Sequence, residues 1–113
     1  IPTSANQEDH VSMANNAGRH ARQVVSNIEN VIGIELLMAA QALELRLKIE
    51  GKDVSALSPA SRTVLELVRS HRSADGRLID HITQDTVLYP RVRSAVELVH
   101  SGAVLDALRT INQ

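Results

Sequence analysis

Between Ala5 and Ile49 the chain contains no proline, and apolar residues recur three and four positions apart through Val24, Ile28, Val31, Met38, Ala42, Leu45 and Ile49, with Glu35 as the odd member of the stripe. That period predicts one long helix over residues 5–49. From Val31 to Leu43 only Gly33, Glu35 and Gln41 are not apolar, so this part of the helix is hydrophobic nearly all round and is expected to be buried on every side. Glu35 and Glu44 interrupt the run, which falls short of the roughly 18 uninterrupted apolar residues a membrane span needs. A carboxylate at position 35 needs a partner there, and a hydrogen bond to a neighbouring helix is the expected one.

The length of this helix conflicts with the size of the chain. At 1.5 Å per residue it is roughly 65 Å long, whereas a compact body of this size has a radius of gyration of about 13 Å. An all-round apolar helix with only short helices to cover it must find further cover in other chains or in another part of its own polypeptide. Phe and Trp are absent and Tyr89 is the single aromatic residue, so the core is built from Leu, Val, Ile, Ala and Met, as in helix-on-helix packing. The expected class is all-α: a long central helix, with a bend allowed near residues 15–18 by Gly18 and its flanking asparagines, plus two or three shorter helices in a larger helical-bundle oligomer. With 113 residues there is room for one core and no internal domain boundary.

Local signals place the remaining elements. Gly51 ends the long helix as its C′ residue, with Arg46 and Lys48 near the negative end of the helix dipole. Ser58 caps a second helix that has Pro59 at its first position and an apolar face of Val64, Leu65, Leu67 and Val68. "SADG" at 73–76 is a turn. The stretch 77–89 is read as loop with a helical turn, because a lone strand without a partner is disfavoured. Pro90 restarts a helix lined by Val92, Val96 and Val99 and closed by Gly102, and a last short helix covers Ala103 to Thr110.

Charge names no partner. Lys and Arg number 12 against 13 Asp and Glu, a formal charge of -1, so no excess points to nucleic acid or to an anionic membrane. Cysteine is absent, which removes disulfides, thiolate catalysis and thiolate zinc sites and makes a cytoplasmic location the default expectation. The chain opens at Ile1 without the pattern of a secretory signal, and it reads as a piece of something longer.

The residues with chemical potential gather at the start of the long helix, in "TSANQEDHVSM" at 3–13. Ser4 as N-cap with Gln7 three positions on forms a capping box, and Glu8 and Asp9 suit the positive helix end. The same geometry can serve catalysis. Free N–H groups at a helix start stabilise an anion or a developing negative charge, Asn6 and Gln7 can orient a substrate, and Glu8 can accept or relay a proton. Spacing does not decide between cap and chemistry.

Elsewhere the signals are weaker. His10, His20, His71, His81 and His100 never fall at i, i+4, and no H-E-x-x-H occurs, so solvated or structural histidines and no metal are expected. Neither a G-x-S-x-G elbow nor a glycine-rich phosphate loop is present. Arg91 and Arg93 are assigned to a solvated face, and Tyr89 to filling a loop-to-helix junction.

"IPTSANQEDHVSM", followed by "VIGIELLMAAQALELR", "LSPASRTVLELVRSH" and "QDTVLYPRVRSAVELVHSG", resembles the C-terminal part of the histidine ammonia-lyase family, a branch of the aromatic amino acid lyases and aminomutases. The resemblance covers nearly the whole chain, and its first motif is the specific one. It implies a homotetramer whose long central helices share a bundle, and a reaction that eliminates ammonia from L-histidine to give trans-urocanate. It also implies an electrophilic prosthetic group, 4-methylidene-imidazol-5-one (MIO), made from an internal Ala-Ser-Gly. That triplet is absent from this chain, so the group is expected upstream and these residues alone are expected to be inactive. Carried over by position, Gln7 and Glu8 become catalytic residues and Glu8 and Asn6 substrate-binding ones. Glu8 would contact the imidazole or assist proton transfer, and Gln7 would hydrogen-bond near the prosthetic group. Ala14 departs from the pattern, which has glycine after "VSM". The alternatives are a lyase or 2,3-aminomutase of the same family acting on tyrosine or phenylalanine, and a non-catalytic helical assembly module.

Overall fold

The structure, a computed structural model, describes the backbone of residues 6–111 and the side chains of residues 14–111. The Ser4 cap lies outside the described residues. Four helices follow one another: α1 (Asn6–Glu50), α2 (Pro59–Ser70), α3 (Tyr89–His100) and α4 (Ala103–Ile111), with a single 3₁₀ turn at Val54–Ala56. Among the described residues there is no strand, only an isolated antiparallel bridge between Arg72 and Leu78. The all-α expectation holds, and α1 runs without interruption through residues 15–18.

The ends of the elements follow local chemistry. Gly51 adopts a φ of 64°, which an L side chain resists. Its N–H donates to Lys48 O at 3.2 Å while Lys52 N–H donates to Leu47 O at 2.9 Å, the paired bonds of a Schellman end. Ser58 Oγ accepts from Ser61 N–H at 3.2 Å to cap α2, and Pro59 fills the position where an N–H would lack a partner. In the 73–76 turn Gly76 N–H donates to Ser73 O at 2.9 Å.

The core is confined to the second half of α1. Leu37 and Ala40 of α1, Leu65 and Val68 of α2, Ile79 of the connecting loop, and Ala95 and Leu98 of α3 are all buried together. α3 lies antiparallel on α1, with His100 beside Glu29 and Val96 against Gly33. A Cβ on Gly33 would stand 2.7 Å from Val96 Cγ2, 3.0 Å from its backbone N and 3.1 Å from its Cα. Two of those three atoms are backbone and cannot turn aside, so Gly33 is what lets the two helices approach. Gly33→Ala therefore forces α3 off α1. Overpacking of this kind costs about 1–3 kcal/mol, more than the roughly 1 kcal/mol that alanine adds in helix propensity. Faster amide hydrogen exchange across residues 89–100 is the expected readout, and unchanged protection there would contradict it.

One expectation is corrected. The sequence stripe on α1 is not the face this chain covers: Val24, Ile28, Val31, Met38, Leu45 and Ile49 remain 43–82% exposed, while Leu37, Ala40 and Leu47 on another face are buried. All described side chains from Ala14 to Ile28 are exposed, and the molecule measures 71 × 40 × 26 Å with a radius of gyration of 19.7 Å. On α3 the expected Val92, Val96 and Val99 face is partly covered, with Val92 packed on the core and Val96 against Gly33, and Ser94, Ala95 and Leu98 beside it are buried. α3 packs against α1 on one side and α4 on the other, so its valine stripe is one flank of a wider contact.

Candidate functional site

Asn6, Gln7 and Glu8 are successive residues of the first turn of α1. Their side chains lie outside the described residues. Their place in the fold still constrains what they can do. Helix geometry sets Glu8 roughly 32 Å along the axis from Glu29, where α3 first reaches α1. The intervening side chains from Ala14 onward are exposed. The body formed by α2, α3 and α4 thus stands at the other end of α1, and a site at the first turn takes its remaining walls from outside the described residues. What the turn itself supplies is a helix N-terminus, with free N–H groups and positive potential.

A second polar assembly, which sequence reasoning did not single out, sits where the loop of residues 71–88 crosses α1. Gln41 Oε1 accepts from Ile82 N–H at 2.9 Å, and Gln41 Nε2 donates to Ile82 O at 2.8 Å, so the side-chain amide pairs with the loop backbone as a neighbouring strand would. The second hydrogen on that nitrogen faces His81 Nε2 at 3.0 Å. His81 Nε2 is therefore the acceptor and Nδ1–H the donor, directed at Glu44 Oε1 2.8 Å away. Arg69 grips the same carboxylate through Nε, at 3.1 Å from both oxygens, and through Nη2, while its Nη1 donates to Ile79 O at 2.8 Å. Ile79 is fully buried beneath this network.

The clamp accounts for the stretch that sequence reading found hardest. No helical turn forms within 77–88, because the backbone groups of Ile79 and Ile82 are satisfied by Arg69 and Gln41. The available signal was two polar residues, Gln41 and Glu44, three apart on one face of an otherwise apolar helix. Burial pushes the Glu44 carboxyl up, but hydrogen bonds from Arg69 and His81 and the charge of Arg69 outweigh it and hold the group below its ordinary value. A carboxylate bound more tightly in the folded state contributes stability that is complete above its ordinary titration range and is lost as pH falls through the lowered value. Acidification through that lowered value should release the loop, read as loss of amide protection at Ile82. Glu44→Gln should flatten that acid dependence, and an identical acid profile in the variant would contradict it.

The other candidates find plain places. Glu35 is exposed on α1 and makes no hydrogen bond among the described residues, contrary to the expected bond to a neighbouring helix, because α3 and α2 cover other faces. Tyr89 opens α3 but is 65% exposed and fills no junction; the Arg93 guanidinium lies 5.8 Å from its ring centroid. Arg93 is exposed as expected, whereas Arg91 is half-buried in an ion pair with Asp80 at 2.9 Å. His81 and His100 are structural, the latter held above its usual range by its hydrogen bond to Glu29. His71, at the C-terminal cap of α2, keeps a buried Nε2 without a partner.

The chain is 40% identical over 111 residues to a histidine ammonia-lyase of Symbiobacterium thermophilum, covering 98% of this chain and 19% of the relative. It is 43% identical over 110 residues to a histidine ammonia-lyase of Gloeobacter violaceus, covering 96% and 18%. It is 36% identical over 106 residues to histidine ammonia-lyase 1 of Fusobacterium nucleatum, covering 94% and 18%. The chain thus spans about a fifth of the length of the curated relatives it matches. No solved structure matches it. The aromatic amino acid lyase profile matches residues 1–70, which takes in the polar first turn, all of α1 and α2, and on that ground the chain belongs to the aromatic amino acid lyase family.

Proposed function

We propose that residues 1–113 are the C-terminal helical segment of a larger enzyme that eliminates ammonia from L-histidine to give trans-urocanate. The observation that carries this is the likeness of almost the whole chain to proteins named histidine ammonia-lyase, together with "NQE" at the start of α1. In the reaction the Cβ–H and Cα–N bonds break, the carbon–carbon double bond forms, and the nitrogen departs with its bonding electrons as ammonia. MIO, made from an Ala-Ser-Gly that this chain lacks, supplies the electrophile that turns the amine into a leaving group.

The work of this chain lies in its first turn. Glu8 would accept a hydrogen bond from the substrate imidazole or relay a proton, Gln7 would donate toward the prosthetic group, and Asn6 would help hold the amino acid. The amides at the start of α1 would favour negative charge developing near them. None of this requires the core around Leu37. It requires that α1 be held rigidly with its first turn inside a pocket built by other segments.

The exposed stripe on α1 supports the assembly proposal. Its positions alternate three and four apart from Val24 to Ile49, the pattern of a helix-on-helix seam. A homo-oligomer, four copies by family resemblance, would cover it. A cytoplasmic location belongs to the same proposal.

The test is the full-length protein incubated separately with histidine, tyrosine and phenylalanine. One ammonia per urocanate formed from histidine is expected. Preference for tyrosine or phenylalanine would overturn the substrate, and a β-amino acid without ammonia would overturn the lyase reaction.

A further inference from the structure

A cleft of about 500 Å³ opens between the 71–88 loop and the start of α3. Three guanidinium groups, of Arg72, Arg77 and Arg91, line it with the carboxylate of Asp80, and Asp75 pairs with Arg77 beside it, for a local net charge of 3 − 2 = +1. Each arginine is only partly occupied. Arg72 Nη1 donates to Gly76 O at 3.0 Å, Arg77 Nε meets Asp75 at 3.2 Å, and Arg91 uses Nε and Nη2 on a single oxygen of Asp80 at 3.0 and 2.9 Å. A guanidinium carries five N–H donors, so several remain free on each.

Two further features converge on the same place. Ser94 is 4% exposed and lines the cleft, yet its hydroxyl makes no hydrogen bond among the described residues. The hydroxyls of Ser70, Ser101 and Thr110, also at helical positions or caps, each donate to the carbonyl three residues back. The Ser94 hydroxyl is thus free to donate into the cleft that the residue lines. The start of α3 has no side-chain cap, Pro90 has no N–H, and the first helical bond runs from Val92 N–H to Leu88 O. The N–H groups of Tyr89 and Arg91 stay outside the helical ladder at its positive end.

Cationic forks, an unpartnered hydroxyl and an uncapped helix start all donate, and an oxyanion with acceptors on every side is their common complement. We propose that this cleft binds a phosphate group, free or carried as an ester on a small molecule. Donors arriving from several directions suit the tetrahedral oxygens of a phosphate better than a planar carboxylate, and the space exceeds what one phosphate fills. Within the chain the cleft lies at the start of α3, away from the first turn of α1.

Calorimetry on the full-length protein, with inorganic phosphate titrated at constant ionic strength, tests this. Arg72→Gln combined with Arg77→Gln should weaken binding by about tenfold or more. Ser94→Ala, which deletes one hydroxyl and cannot crowd the core, should weaken it several-fold. Arg93→Gln, outside this cleft, should leave it unchanged. Glycerol 3-phosphate binding more tightly than phosphate would assign the site to an ester, and equal affinities would assign it to the free ion. Absence of phosphate binding in the wild type, or binding undiminished in both the double variant and Ser94→Ala, overturns the proposal. Histidine turnover on the same samples should stay at the wild-type level, which separates failure of this site from failure of the lyase reading.

Discussion

Glu8→Ala in the full-length enzyme is expected to lower turnover on histidine by about 10²–10³-fold, the range that loss of a positioned acid–base or charged contact produces. The assembly should remain intact. Glu8 lies in the first turn of α1, far along the helix from the buried cluster of Leu37, Ala40, Val68 and Leu98, so its removal touches no core contact. Glu8→Gln separates the two roles the position can play. If Glu8 only accepts a hydrogen bond from the imidazole, the amide oxygen of glutamine retains part of that contact and activity recovers partway. If a proton must be carried, glutamine performs no better than alanine. Near-normal turnover in Glu8→Ala would remove the residue from the site altogether.

The second large effect concerns assembly. Ile28 and Leu45 are 51% and 43% exposed in the isolated chain, and they sit on the seam whose spacing alternates between three and four. Ile28→Asp with Leu45→Asp leaves the buried core of this chain unchanged but places two carboxylates on the surface that the proposed oligomer buries. An unpaired ion at such an interface costs several kcal/mol, and the cost repeats in every copy. The full-length variant should therefore fall from a tetramer to smaller species in light scattering at micromolar concentration. It should also lose histidine turnover, because the first turn of α1 no longer meets the walls that other segments provide. An unchanged mass would show that the seam is covered from within one polypeptide.

Element boundaries were legible because each depends on a few neighbouring atoms. Gly51 ends α1 because its positive φ closes two hydrogen bonds, and Ser58 with Pro59 starts α2 by capping one amide and removing the need for another. The proposed site residues Asn6, Gln7 and Glu8 rest on a local motif too, read from the sequence and the family resemblance. The clamp of Gln41, Glu44, Arg69 and His81 was not, since its members are separated by up to 41 positions and only the folded loop brings them together. Arg91 was read as solvated for the same reason: its partner, Asp80, belongs to that loop.

The sequence alone determined that the chain is helical, where its helices start and stop, and that α1 carries more apolar surface than its own short helices can cover. Which surface would be covered lay beyond it. Both faces of α1 are rich in aliphatic side chains, so hydrophobic burial favours them about equally, and periodicity pointed to the stripe through Val24 and Met38. The tertiary structure placed α3 on the other face because Gly33, lacking a Cβ, lets the backbone at Val96 come within contact there, while Gln41 and Glu44 tie down the loop that leads into α3. That choice left the Val24 to Ile49 stripe free on one side.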